Sequence, residues 1–117
     1  MQFGKKTSSL SQGARLDAIS RSQAMIEFTP DGIITSANQN FLNTVGYELS
    51  EIVGQHHRMF VDDEDASSPD YAAFWKDLRQ GVFKSAQFRR KAKSGKSVWI
   101  QATYNPVLDR KGDVIGV

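Results

Sequence analysis

Apolar residues follow two rhythms along this chain, and the changes of rhythm mark out its elements. Met25-Ile26-Glu27-Phe28-Thr29 and Ile33-Ile34-Thr35-Ser36-Ala37 flank the tripeptide Pro30-Asp31-Gly32. β-Branched and aromatic residues on either side of such a turn predict a hairpin. From Asn38 the rhythm becomes helical. Asn38 suits a helix N-cap, Phe41, Leu42 and Val45 share one face, and Gly46 suits the position just past the end. Glu48 to Val53 reads as one further turn closed by Gly54. Residues 55–61 (Gln-His-His-Arg-Met-Phe-Val) are too few for an independent helix and must be held by packing.

Asp62-Asp63-Glu64-Asp65 reads as an acidic loop. Ser68-Pro69 then predicts a helix start, with serine at the N-cap and proline at the first helical position. Tyr71, Phe74, Trp75 and Leu78 follow at i, i+3, i+4 and i+7, an amphipathic stripe that ends at Gly81. Period-two alternation predicts long strands at 82–92 and 97–108 around the turn Lys93-Ser94-Gly95-Lys96. Val98, Ile100, Ala102 and Tyr104 share one strand face, and Trp99, Gln101, Thr103 and Asn105 the other. The turn 109–113 leads to a last short strand at 114–117. Two strands, several short helices and three antiparallel strands make an α+β domain with helices on one face of the sheet.

The 117 residues suffice for one such domain and no second one. Before it, residues 9–22 predict a leader helix with a weak stripe of Leu10, Ala14 and Ala18, thinned by Gly13. The expected division is a basic tail and leader helix over 1–21 and a folded body over 22–117. Lys5, Lys6, Arg15 and Arg21 stand against Asp17 alone, so the leader carries +3 and the rest of the chain −1, for a net charge of +2. Lys84, Arg89, Arg90, Lys91, Lys93 and Lys96 form the one basic stripe, but a strand divides them between two faces, which argues against nucleic-acid binding. No apolar run approaches a membrane span, and the start lacks the apolar core of a secretory signal. The absence of cysteine removes disulfide, thiolate-zinc and thiol chemistry. A cytoplasmic domain is the expectation.

Candidate chemistry is sparse. His56 and His57 are the only histidines, and with Asp62 and Asp63 they lack the i, i+4 spacing that puts two imidazoles on one helix face. The acidic run 62–65 lacks calcium-loop spacing and its glycine. No serine sits in a Gly-x-Ser-x-Gly elbow and no glycine-rich phosphate loop is present, so no catalysis is expected. Tyr71, Phe74, Trp75 and Leu78 suit a helix core, with Trp75 alone a candidate for lining a pocket.

In this order the motifs resemble the PAS family. They are Pro30-Asp31-Gly32-Ile33-Ile34, Ala37 to Leu42, Gly46 to Gly54, Phe74-Trp75, Lys93 to Lys96, Val98-Trp99-Ile100 and Asn105 to Asp109. Gly54 to Asp62 is similar to the PAS domains of soluble chemoreceptors of the biofilm-dispersion and aerotaxis kind. The resemblance implies a five-stranded antiparallel sheet in the order 2-1-5-4-3, with helices on one face enclosing a small pocket. It implies a domain that binds a small ligand or cofactor and relays its state to a methyl-accepting signalling region. A homodimer through the N-terminal helix and sheet face, and truncation at the last strand, are further expectations. A ligand-free dimerisation module, and the input domain of a histidine kinase or cyclic-dinucleotide enzyme, are the alternatives.

The resemblance also bears on the ligand. Light-oxygen-voltage domains, a branch of the family, form a flavin adduct through a cysteine, and His57 stands in its place. The strand asparagines that hold flavin there fall on Arg90 and Ile100. Redox flavin (FAD) stays open, since Trp75 and Trp99 match aerotaxis domains, although Phe83 stands where those often carry another tryptophan. Haem stays open through His57 as the axial iron ligand, with Tyr104 or Gln101 placed to hydrogen-bond a gas or a cofactor edge. An empty pocket stays open too. The residues expected to meet a cofactor are His57, His56, Trp75, Ile100, Tyr104 and Asn38.

Overall fold

Glycine's freedom at positive φ starts the fold. Gly32 (φ +88°) closes the turn between β1 (Ile26–Phe28) and β2 (Ile34–Ala37), which pair antiparallel with Ile26 opposite Ala37. A bulge after Glu27 brings Phe28 opposite Ile34. The structure is a computed structural model that describes residues 23–117; the expected tail and leader helix over 1–21 lie outside the described residues.

Asn38 opens α1 (Gln39–Val45). Its Oδ1 accepts from the backbone N–H of Phe41 at 3.0 Å and of Met25 at 2.9 Å, tying the helix start to the entry of β1. Gly46, in the left-handed region, closes α1, and a reciprocal Glu48–Glu51 capping box opens α2 (Leu49–Ile52). Residues 54–57 are then stitched to the hairpin. Gly54 N–H donates to the Ile34 carbonyl at 2.9 Å, Ile34 N–H to the Gln55 carbonyl at 2.8 Å and His57 N–H to the Gly32 carbonyl at 2.9 Å. This anchoring explains why a segment too short for a helix holds a 3-10 turn over His57–Phe60.

The acidic run is not a loop. Asp63–Ala66 forms a one-turn helix, α3, whose first turn carries Asp63, Glu64 and Asp65, the charge sign a helix N-terminus favours. Ser68 caps α4 (Pro69–Arg79), accepting from the Tyr71 N–H at 3.2 Å, and α4 buries Trp75 and Leu78. β3 (Lys84–Lys91) and β4 (Ser97–Tyr104) pair antiparallel along eight residues, Phe88 opposite Ile100 and Arg90 opposite Val98.

The strand expected over 97–108 breaks at Asn105-Pro106, because proline has no N–H for a ladder. β5 (Val107–Leu108) resumes and pairs with β6 (Val114–Gly116). The ladders are thus three two-stranded pairs, and the order 2-1-5-4-3 is not formed as one continuous sheet. Phe28 and Val117 exchange both backbone hydrogen bonds, at 2.9 and 3.0 Å, and so join β1 to the C-terminal residue. The core lies between these strands and the helices: Phe28, Ile34, Phe41, Phe60, Trp75, Leu78 and Tyr104 pack in one cluster.

Gly32 is the tightest point of this core. A Cβ there would sit 2.7 Å from His56 Nε2 and 3.1 Å from Trp75 Cε2. Gly32→Ala is expected to cost about 2–4 kcal/mol, combining left-handed strain with displacement of two rings. Urea denaturation measures it; a loss under about 0.5 kcal/mol would mean that the rings move aside freely.

Candidate functional site

A cavity of about 450 Å³ opens between the inner face of β3 and β4, the start of β1, and α1. Its walls are apolar (Phe28, Phe41, Phe60, Ile100), and one side carries His57, Arg90 and Tyr104. Strand alternation explains that side. Phe88 and Arg90 leave β3 on the face that Val98, Ile100, Ala102 and Tyr104 use on β4, and the register sets Arg90 beside Val98.

His57 is 2% exposed and both ring nitrogens are engaged. Nδ1 lies 2.7 Å from the Tyr71 hydroxyl and Nε2 lies 3.0 Å from the Tyr104 hydroxyl. The ring stands edge-on to Phe28 at 5.3 Å and to Trp75 at 5.5 Å, and nearly parallel to Tyr71. Burial, then the charge of Arg90, then His56 hold His57 well below the usual histidine range, so it is neutral. Burial pushes the Tyr71 phenol up to about 12 and that of Tyr104 upward.

The hydrogen-bond directions follow from donor counting. Tyr104 oxygen accepts from Arg90 Nε at 3.3 Å and Nη2 at 3.1 Å, filling its lone pairs. Its hydroxyl proton is therefore left to donate to His57 Nε2. A neutral imidazole has one donor, so Nδ1 carries the proton and donates to Tyr71. A directed chain thus runs from Arg90 through Tyr104 and His57 to Tyr71. The indole Nε1–H of Trp75 is buried and has no hydrogen-bond partner among the described residues.

The residues singled out from the sequence separate into two groups. His57, Ile100 and Tyr104 line the cavity; His56, Trp75 and Asn38 do not. Asn38 is occupied as the α1 cap, and its Nδ2 donates to the Gln23 carbonyl at 2.6 Å. His56 is half-buried, packs edge-on to Trp75 at 5.8 Å, and accepts from the Arg58 N–H at 3.0 Å. Trp75 packs beneath Phe28 at 5.5 Å, in the core. Trp99 stands 69% exposed on the face of β4 away from the cavity, whereas Gln101, though exposed, borders the cavity. Of the other site residues, the sequence set Arg90 only at a strand position that holds flavin in the light-oxygen-voltage branch, and Tyr71 only in a helix core. The i, i+2 pair Phe88 and Arg90, matched to the apolar face of β4, was the signal for Arg90.

Cofactor fit can be tested on these groups. Iron ligation needs a free imidazole nitrogen, and neither nitrogen of His57 is free while the tyrosine bonds stand. A flavin adduct needs a thiol, and the chain has no cysteine. Among the described residues no group of three or more His, Asp or Glu side chains could hold a metal ion, and no helix is long and apolar enough to cross a membrane. The basic stripe is partly neutralised. Lys84 pairs with Asp77 at 2.6 Å, Arg89 with Asp62 at 2.8 Å and Lys93 with Glu51 at 2.7 Å.

A family model described as the PAS fold matches residues 34–117. The chain is 44% identical over 104 residues to the biofilm dispersion protein BdlA of Pseudomonas aeruginosa, covering 89% of this chain and 25% of that protein. It is 34% identical over 83 residues to the aerotaxis receptor of Escherichia coli, covering 71% of this chain and 16% of that one. The chain therefore spans a quarter or less of the length of these relatives. Among solved structures, a light-oxygen-voltage domain studied with a flavin analogue superposes with a TM-score of 0.72 at 26% identity, over 88% of this chain and 78% of that one. The light state of the blue-light photoreceptor Aureochrome1 LOV gives 0.69 at 23% identity, over 86% and 81%, a likeness of fold alone.

Proposed function

The chain belongs to the PAS-fold family, and on that premise we propose that it is the sensory input domain of a chemotaxis signal transducer, binding a small ligand or redox cofactor in the cavity above. The observation that carries this is the cavity itself: about 450 Å³, apolar on most sides, with His57, Tyr104 and Arg90 converging on one. That volume and lining are those of small-molecule sites. The ligand's state would bias the packing of β3 and β4 against α4 through the Arg90–Tyr104–His57–Tyr71 chain, whose last member sits on α4. A bound flavin would supply the redox chemistry, while these residues would orient it and read its state. The body over 22–117 and a cytoplasmic location belong to this reading. A downstream methyl-accepting region fits the similarity to a biofilm dispersion protein and an aerotaxis receptor, of each of which this chain matches only a part.

A homodimer is the second element of the reading, favoured by the exposed indole of Trp99 on the outer strand face. Light scattering with and without residues 1–21 tests it; a monomer in both forms would remove it.

The ligand reading is tested by absorption spectra of protein made with haem precursor and riboflavin supplied, and by melting shifts against a small-molecule panel. A chromophore band or a ligand-dependent rise is expected. A colourless protein that nothing stabilises would leave a relay and dimerisation role instead. Ala102, on the cavity wall, gives the control. Ala102→Phe is expected to keep the fold and weaken binding at least about tenfold, ~1.4 kcal/mol, by filling the space. Undiminished binding would place the ligand elsewhere.

A further inference from the structure

Arg90 has no acid. Its neighbour Arg89 pairs with Asp62 at 2.8 Å and Asp65 at 3.5 Å, yet among the described residues no carboxylate pairs with Arg90. Among the described residues no Asp or Glu lines the cavity either. The guanidinium is half-buried, and its centre lies 4.7 Å over the Phe88 ring. Its Nε and Nη2 donate to Tyr104, and Nη1 donates to the Arg89 carbonyl at 3.1 Å. A guanidinium has five N–H donors, so two remain, one on each terminal nitrogen, the pair that a carboxylate accepts side by side.

We infer that the cavity selects an anionic ligand: a flat aromatic or heteroaromatic acid whose carboxylate is received by Arg90. This rests on the cavity being the ligand site proposed above, and it names the ligand's class. A neutral ligand filling the cavity would strip water from an unpaired cation, which is costly, whereas a carboxylate replaces that water with charge-assisted hydrogen bonds. A dianionic phosphate is disfavoured, because Arg90 is the only cationic side chain in the lining among the described residues. Phe28, Phe41 and Phe60 supply walls for a ring. Tyr104 keeps the fork in place by holding the Nε edge, so the free edge is oriented before the ligand arrives.

The test compares matched pairs: indole-3-acetate, 4-hydroxyphenylacetate and 1-naphthoate against their primary amides, titrated into the 117-residue chain with calorimetry and melting shifts. Each binding acid is expected to exceed its amide by about tenfold or more. Arg90→Gln is expected to erase that ratio while amide binding persists, and Arg90→Lys to retain part of it, since lysine keeps the charge without the planar fork. Retained amide binding and an unchanged far-ultraviolet circular dichroism spectrum show that the variants fold. Equal binding of acids and amides would overturn the inference and leave the ligand-site reading standing. Binding by neither class, in a colourless protein, would overturn both.

Discussion

Phe28→Ala is expected to cost about 3–5 kcal/mol, a large share of the ~5–15 kcal/mol that holds a domain of this size together. Phe28 is 4% exposed and its ring packs edge-on to His57 at 5.3 Å and Trp75 at 5.5 Å. Its backbone holds Val117 through two hydrogen bonds. The ring also forms part of the cavity wall, so truncation enlarges an existing void instead of letting neighbours collapse into a new one. That places the cost toward the upper end of the range for large-to-small changes. Phe83 is 63% exposed, and Phe83→Ala is expected to stay within about 0.5 kcal/mol. Urea denaturation of both variants separates the cases. Similar small losses would mean that Phe28 is not part of the structural centre.

The hairpin, α1, α4 and the paired strands were legible because each rests on local signals. Pro30-Asp31-Gly32, Asn38, Gly46 and Ser68-Pro69 each dictate backbone geometry at one point, and side-chain period does the rest. Two elements were misread for want of local information. Asp62 to Asp65 looks like a solvated loop until α3 is seen to turn its charges toward a helix N-terminus. Pro106 was absorbed into a strand although it cannot donate to a ladder, and it divides β4 from β5. The family itself was readable, because its motifs are strung in order along most of the chain, and the matching family model spans residues 34–117.

The site was less legible, for a physical reason. A cavity is what side chains from distant segments fail to fill, and no periodicity reports that. His57, Ile100 and Tyr104 could be placed by strand alternation and by likeness to a family position. Trp75 could not, because a helix stripe gives the buried face without saying whether a ring meets a void or another ring. Here Trp75 meets His56, His57, Phe28 and Phe74. Arg90 was read within a basic stripe divided between two strand faces, and at a family flavin position, without a partner of its own. Its role depends on Tyr104, fourteen residues away, being drawn opposite the same face.

Acid is expected to destabilise this domain well before its carboxylates titrate, and His57 is the main reason. Its folded pKa lies well below the ordinary histidine value of about 6.5, chiefly through burial. Below about pH 6.5 the unfolded chain therefore takes up a proton that the folded chain refuses, and stability falls as pH falls. The slope for one group approaches about 1.4 kcal/mol per pH unit, so the loss sets in as pH falls through about 6.5 and grows toward pH 5. His56, also lowered by burial, adds a smaller share in the same direction. His57→Phe keeps a ring among Phe28, Tyr71 and Phe74 but cannot bond either tyrosine. At about pH 7.5 it is expected to cost ~1–3 kcal/mol, because Tyr71 and Tyr104 lose a partner. Its stability should then decline more gently with acid, so that the two curves converge near pH 5. Urea midpoints across that range test this, and parallel curves would show that His57 does not carry the acid sensitivity. The same protonation is tied to the cavity. The Arg90 charge is the second cause of the lowered His57 pKa, so a carboxylate bound to Arg90 would offset it and make the imidazolium less unfavourable. By linkage, such a ligand should bind more tightly as His57 takes up its proton and should flatten the acid decline of the wild-type chain.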